Sequence, residues 1–169
     1  MFRPAAPNLT HLEQCFAEAS PSPDLDASAL SAFSSLETLS ISPNIFCRCQ
    51  SDPQKPPCLA EITPPTVKRS VLRLGSRLCV CADGVLGLAG KVADGRFPLL
   101  RRLEFELKNF PTGPETPYTS YRYVAEALEQ YREAFGGTPV SLYFYGSFFN
   151  WLSQWKGDEG GWTNVYVKI

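Results

Sequence analysis

Histidine is almost missing from this chain: of 169 residues, only His11 is one. A nucleophile-base-acid site needs an imidazole within hydrogen-bond reach of its nucleophile, so any such site has a single candidate base. No G-x-S-x-G elbow accompanies it, and His11 is expected to be a solvent-facing or hydrogen-bonded side chain without a catalytic role. An excess of one charge is missing too. Lys and Arg number 16 against 17 Asp and Glu, a formal charge of -1, so no overall positive field gathers phosphates and nucleic acid is not the expected partner. Long hydrophobic runs are also missing. Stretches such as Val85 to Ala89 fall far short of the about 18 residues of a membrane span. The opening MFRPAAPNLTHLEQ is too polar and too broken by proline for a secretory core. The expectation is an intracellular protein, cytoplasmic or nuclear, with no membrane partner.

Apolar and charged residues are present in globular proportion, 44% and 20%, and the length suits one domain over residues 1–169. Six cysteines, Cys15, Cys47, Cys49, Cys58, Cys79 and Cys81, are spread thinly along the chain. Without a secretory signal they read as reduced thiols. The two C-x-C pairs with Cys58 could offer thiolates to zinc, but structural zinc sites usually space their pairs C-x₂₋₄-C, so no metal is expected.

An internal repeat organises the rest. In SLETLSISPN, Leu36, Leu39, Ile41 and Asn44 stand at the offsets L-x-x-L-x-L-x-x-N. Leu100, Leu103 and Phe105 repeat the inner offsets, with Asn109 one residue late. Leu9 and Leu12 open another copy that fails at Gln14, and Leu72 with Leu74 supplies the L-x-L of a further one. Pro139, Leu142 and Phe144 align with Leu100, Leu103 and Phe105. First positions at residues 9, 36, 69, 100 and 139 lie 27, 33, 31 and 39 residues apart, longer and less even than the about 20–29 of tidy repeats.

Between copies the period becomes helical. Asp83 is a candidate N-cap for a helix carrying Val85, Leu88, Ala89 and Val92, with Gly95 as a stop. Tyr121, Val124, Leu128, Tyr131 and Phe135 mark a second helix, ended by Gly136 and Gly137. Each L-x-L places two side chains on one strand face, and each helix offers one stripe to cover that face. One such unit cannot close a core, but parallel stacking of units can. The expected fold is α/β: a leucine-rich-repeat-like solenoid of about four to five strand-helix units with a parallel sheet. Residues 42–65, rich in proline and cysteine, read as an irregular insertion loop, and 108–119 as a shorter one. Phe148, Trp151, Leu152 and Trp155 suit one more short helix, and 156–169 a tail or capping strand.

The combination PNLTHLE, SLETLSI, VLRLGSR and GLAGKVADGRFPLLRRLEFE resembles the leucine-rich-repeat portion of fungal F-box-type proteins. In those proteins a helix ending in an acidic-Gly-Arg-Phe-Pro turn feeds the next Leu-rich strand. The likeness covers most of Leu9 to Phe149. It implies a non-enzymatic interaction scaffold of the kind that serves as substrate receptor in ubiquitin-ligase adaptors, whose partner is another protein. Ligase subunits join that expectation only where an F-box segment adjoins the repeats.

Other groupings have plainer readings. Gly84, Gly87 and Gly90 in DGVLGLAG invite a small enzyme or nucleotide-binding alternative, but G-x-x-G-x-x-G lacks the G-x-G of a dinucleotide turn. They are expected to let the helix pack closely on the sheet, with no cofactor bound. Asp24 with Asp26 and Asp158 with Glu159 read as solvated loops. Arg96, Arg101, Arg102 and Lys108 make the one dense basic patch, and Asn8 opens a chance glycosylation sequon. Between the inward leucines, the exposed strand positions include Glu37, Thr38, Ser40, Arg101 and Glu106. Arg73, Arg102, Glu104, Tyr143 and Tyr145 are the expected partner-binding residues, with the tyrosines as anchors.

Overall fold

A computed structural model of the chain describes residues 8–14, 30, 33–42, 59–74, 82–107 and 118–145. Five short strands carry the alternating segments: β1 (His11–Gln14), β2 (Thr38–Ile41), β3 (Arg69–Leu74), β4 (Arg102–Leu107) and β5 (Ser141–Tyr145). They form one sheet in chain order, and every neighbouring pair is parallel. The fold class is therefore α/β. Parallel neighbours need crossovers, and α1 (Leu59–Ile62), α2 (Ala82–Ala93) and α3 (Tyr118–Phe135) lie in three of them. The helices also stack in chain order, α1 on α2 and α2 on α3.

The register fixes which side chains share a face. Leu39, Ser70, Leu103 and Leu142 lie side by side, followed by Ile41, Leu72, Phe105 and Phe144. All eight are buried, and the seven apolar ones join Val85, Leu88, Val92, Leu128, Tyr131 and Phe135 of the helices in one core. Within it Phe105 stacks between Tyr131 and Phe144, at 5.3 and 4.9 Å between ring centroids.

The third repeat copy is placed two residues earlier than its leucines suggest. Leu72 pairs with Ile41 and Phe105, so Ser70 occupies the place of Leu39 and Leu103, and buried Val67 opens the copy instead of residue 69. A slip of two preserves the inside-outside alternation, which is why the facing of Arg73 survives it. In the last copy Pro139 is exposed, and buried Val140 fills the core beside it.

The backbone repeats more faithfully than the side chains. Before β2, β3 and β4 a tight turn closes with the N–H of Leu36, Val67 and Leu100 donating to the carbonyls of Phe33, Pro64 and Phe97. Then the carbonyls of Thr10, Glu37 and Lys68 each accept from two successive N–H groups of the next strand's entry, those of Glu37 and Thr38, Lys68 and Arg69, and Arg101 and Arg102. Three strand entries are thus built alike.

Helix α2 ends as its glycine foretells. Gly95 has φ 76°, its N–H donates to Val92, and Arg96 donates to Lys91, the paired bonds of a Schellman cap. Asp83 lies inside the first turn of α2, where a negative charge suits the helix's positive end; it is not the residue preceding the helix. The expectation that Gly84, Gly87 and Gly90 press the helix onto the sheet fails for two of the three. Gly84 is buried, but Gly87 and Gly90 are exposed and a Cβ at either would meet nothing within 4 Å. Within the stretch read as an irregular loop, Leu59–Ile62 is helical, because Leu59 and Ile62 bury themselves against the core. The cysteines, residues 43–58 of that stretch, and the aromatic and tail segments beyond Tyr145 lie outside the described residues.

Candidate functional site on the outer sheet face

Alternation sends the remaining strand residues away from the helices. Across the strand starts run His11, Thr38, Arg69, Arg102 and Ser141. The next row holds Glu13, Ser40, Val71, Glu104 and Tyr143, and the last holds Arg73, Glu106 and Tyr145.

Glu104 is the hub of this face. Its side chain is only 1% exposed, whereas Arg69 and Arg102 beside it are 48% and 46% exposed. Arg69 donates through Nε to Oε1 at 2.5 Å and through Nη2 to Oε2 at 2.9 Å, a forked pairing that fixes both groups. The Nε of Arg102 contacts the same Oε1, and the Tyr145 hydroxyl donates to the carboxylate as well. Burial pushes the Glu104 carboxyl up, but the Arg69 hydrogen bonds, the charges of Arg69 and Arg102, and the tyrosine hydroxyl outweigh it, so the group titrates below its ordinary value. The Glu104 hydrogen bond raises Arg69 against the opposing effect of burial. Tyr145 is pushed up to about 12 by burial and by the charges of Glu104 and Glu106.

Two further links knit the strands. Arg102 lies with its guanidinium carbon 3.9 Å from the centre of the Tyr143 ring, a cation-π contact between β4 and β5. Arg73 on β3 pairs with Glu106 on β4 at 3.0 Å and with Glu13 on β1. To reach β1 it must cross β2, where Ser40 is small and buried. Lys68 and Glu37, at the strand entries, pair at 2.6 Å.

The structure therefore brings together all five residues expected to bind a partner. Arg102 stays open, Arg73, Tyr143 and Tyr145 are half-buried, and Glu104 lies beneath its neighbours. Glu106 and Ser40 are buried as well, for the same reason. Arg69 escaped the sequence reading, because the slipped frame assigned it to the first core position. The signal was there: Lys68-Arg69 before SVLRL matches Arg101-Arg102 before LEFEL. The expected basic patch is divided, since Arg102 joins the outer face while Arg96 sits in the turn after α2; Lys108 lies outside the described residues. His11 is exposed, with Nδ1 at 2.9 Å from the Thr10 hydroxyl. Gly87 and Gly90 lie within α2, where backbone N–H groups serve the helix and are not turned toward a phosphate. Among the described residues no three His, Cys, Asp or Glu side chains are grouped to hold a metal ion, and no helix is long and apolar enough to cross a membrane. No family model, curated protein or solved structure matches the chain.

Proposed function

We propose that the chain is a leucine-rich-repeat-like solenoid that works as a non-enzymatic protein-interaction module, with the outer sheet face as its recognition surface. The observation that carries this reading is the row itself: Arg102 stacked on Tyr143, with Tyr145 alongside, presented on a sheet whose opposite face is the core. Arginine and tyrosine are the side chains that most often anchor protein interfaces. Strands and helices both stacked in chain order, and strand entries with one recurring hydrogen-bond pattern, support the solenoid part. By the resemblance described above, the working context is the substrate-receptor arm of an F-box ubiquitin-ligase adaptor of fungal type, in the cytoplasm or nucleus. The partner is another protein, and ligase subunits accompany it where an F-box segment adjoins.

Affinity capture from a fungal lysate tests this. A stoichiometric protein retained by the native chain is expected to be lost when Tyr143→Ala and Tyr145→Ala are combined, since a hot-spot tyrosine is worth upwards of about 2 kcal/mol. Retention by a folded double variant overturns the assignment of the surface.

A further inference from the structure

The outer face is polarised along the strands. The row at the strand starts, His11, Thr38, Arg69, Arg102 and Ser141, contains no carboxylate, and exposed Lys68 and Arg101 flank it, with Glu37 as their one acidic neighbour on the strand entries. The carboxylates Glu13, Glu104 and Glu106 all stand in later rows. Arg69 and Arg102 are held on their inner side by one nearly inaccessible carboxylate, which two guanidiniums overcompensate. Arg69 contacts it through Nε and Nη2, and Arg102 through Nε, so the outer edge of each guanidinium is left toward solvent. The Tyr143 ring fixes Arg102 from a second side. Two forked donors on adjacent strands, roughly 4.8 Å apart, are thereby ordered before anything binds.

The geometry points to an acidic, extended segment of a partner protein as the occupant, laid across the strand starts with a carboxylate side chain between Arg69 and Arg102. This rests on the outer face being the recognition surface. Glu104 is the positioning residue of that site and does not touch the segment. Its low titration keeps it charged, and both arginines aimed, through the neutral range.

The probe is a short fluorescein-labelled peptide alternating Glu and Ser, titrated with the full chain at low ionic strength and followed by anisotropy. Gln-Ser and Lys-Ser peptides and a single-stranded oligonucleotide serve as comparisons. The Glu-Ser peptide is expected to bind and the Gln-Ser peptide not. Arg102→Gln and Ser141→Glu should each weaken binding by at least about tenfold. The first removes a donor and the second supplies a competing carboxylate within the row, so unfolding of either leaves the other decisive. Arg132→Gln, on the helix side, should bind like the native chain. Absence of Glu-Ser binding, or equal binding to Ser141→Glu, overturns the inference. So does tighter oligonucleotide binding with the same residue dependence, because the row then reads phosphates. Lys-Ser binding that Tyr143→Ala abolishes would overturn the acidic segment yet leave the face as a docking surface. The docking reading itself falls only if the paired tyrosine variant, folded, still captures its protein.

Discussion

A carboxylate as enclosed as Glu104 is tolerated because its lone pairs are filled from three sides, by Arg69, Arg102 and Tyr145. Glu104→Gln halves that acceptor capacity and should lower unfolding free energy by about 1–3 kcal/mol, measured by urea denaturation. Because the folded carboxyl titrates below its unfolded value of about 4.3, its contribution is present above that pH and is lost as pH falls through the folded value. The Gln variant should therefore show a flatter acid limb than the native chain. Tyr145 has the opposite sign. Its folded value of about 12 lies above its ordinary 10.0, so folding favours the protonated phenol, and stability should be full below pH 10 and fall as pH rises toward 12. Tyr145→Phe should remove one late-ionising step, near pH 12, from a tyrosinate absorbance titration; an unchanged curve would place that step on another residue. Ser70 offers a third case, a fully buried hydroxyl on the core side with no hydrogen-bond partner among the described residues. Ser70→Ala should be neutral or stabilising by up to about 1 kcal/mol.

At the scale of the element, α2 carries two glycines whose side-chain space is empty. Gly87→Ala and Gly90→Ala should each raise stability by about 0.5–1 kcal/mol, because alanine loses less backbone freedom and meets no neighbour. Gly95→Ala should act the other way, by about 1 kcal/mol or more, since φ 76° in the Schellman cap disfavours a Cβ. Denaturant midpoints of the three variants decide both claims, and a stabilising Gly95→Ala would contradict the cap. The turn ahead of β4 shows the same economy of means: Phe97 is buried while its carbonyl closes the turn onto Leu100. Phe33 closes the equivalent turn before β2 with the same residue type, and Pro64 closes the one before β3. Phenylalanine thus recurs in two of the three turns, and buried Pro64 stands in its place in the third.

Across the whole molecule, the outer face ties together strands that the ladder joins only pairwise. Arg73 spans from β4 through β3 to β1, and its loss should loosen the first strand most. In Arg73→Ala, hydrogen exchange at Leu12 to Gln14 should accelerate more than at Leu103 to Phe105, where the ladder is flanked on both sides. Uniform acceleration would mean that Arg73 supports global stability and not this one edge. The same ladder of ion pairs is half-exposed and so sensitive to salt, whereas the stacked Phe105, Tyr131 and Phe144 beneath it are not.

Much of this was legible in the chain itself. Alternation of leucines with polar residues determined which side of each strand faces the core, and the 3-4 spacing from Leu128 to Phe135 determined a helix with one buried stripe. Both are local consequences of side-chain direction. The pairing of Leu142 and Phe144 with Leu103 and Phe105 was legible for the same reason, since both segments keep the inner apolar pair of the pattern. The register of β3 was not, because Ser70 stands where the other copies have leucine and the nearest leucine pair matches equally well two residues away. Only the hydrogen-bonded neighbours β2 and β4 could decide between two placements that bury the same face. Likewise the sequence separates Arg69 from Glu104 by 35 residues, and nothing local pairs them. Their meeting is a product of register: adjacent strands aligned from their starts set an arginine on one beside a glutamate on the next, and burial by Arg102 and Tyr145 then turns a surface pair into the hub of the face.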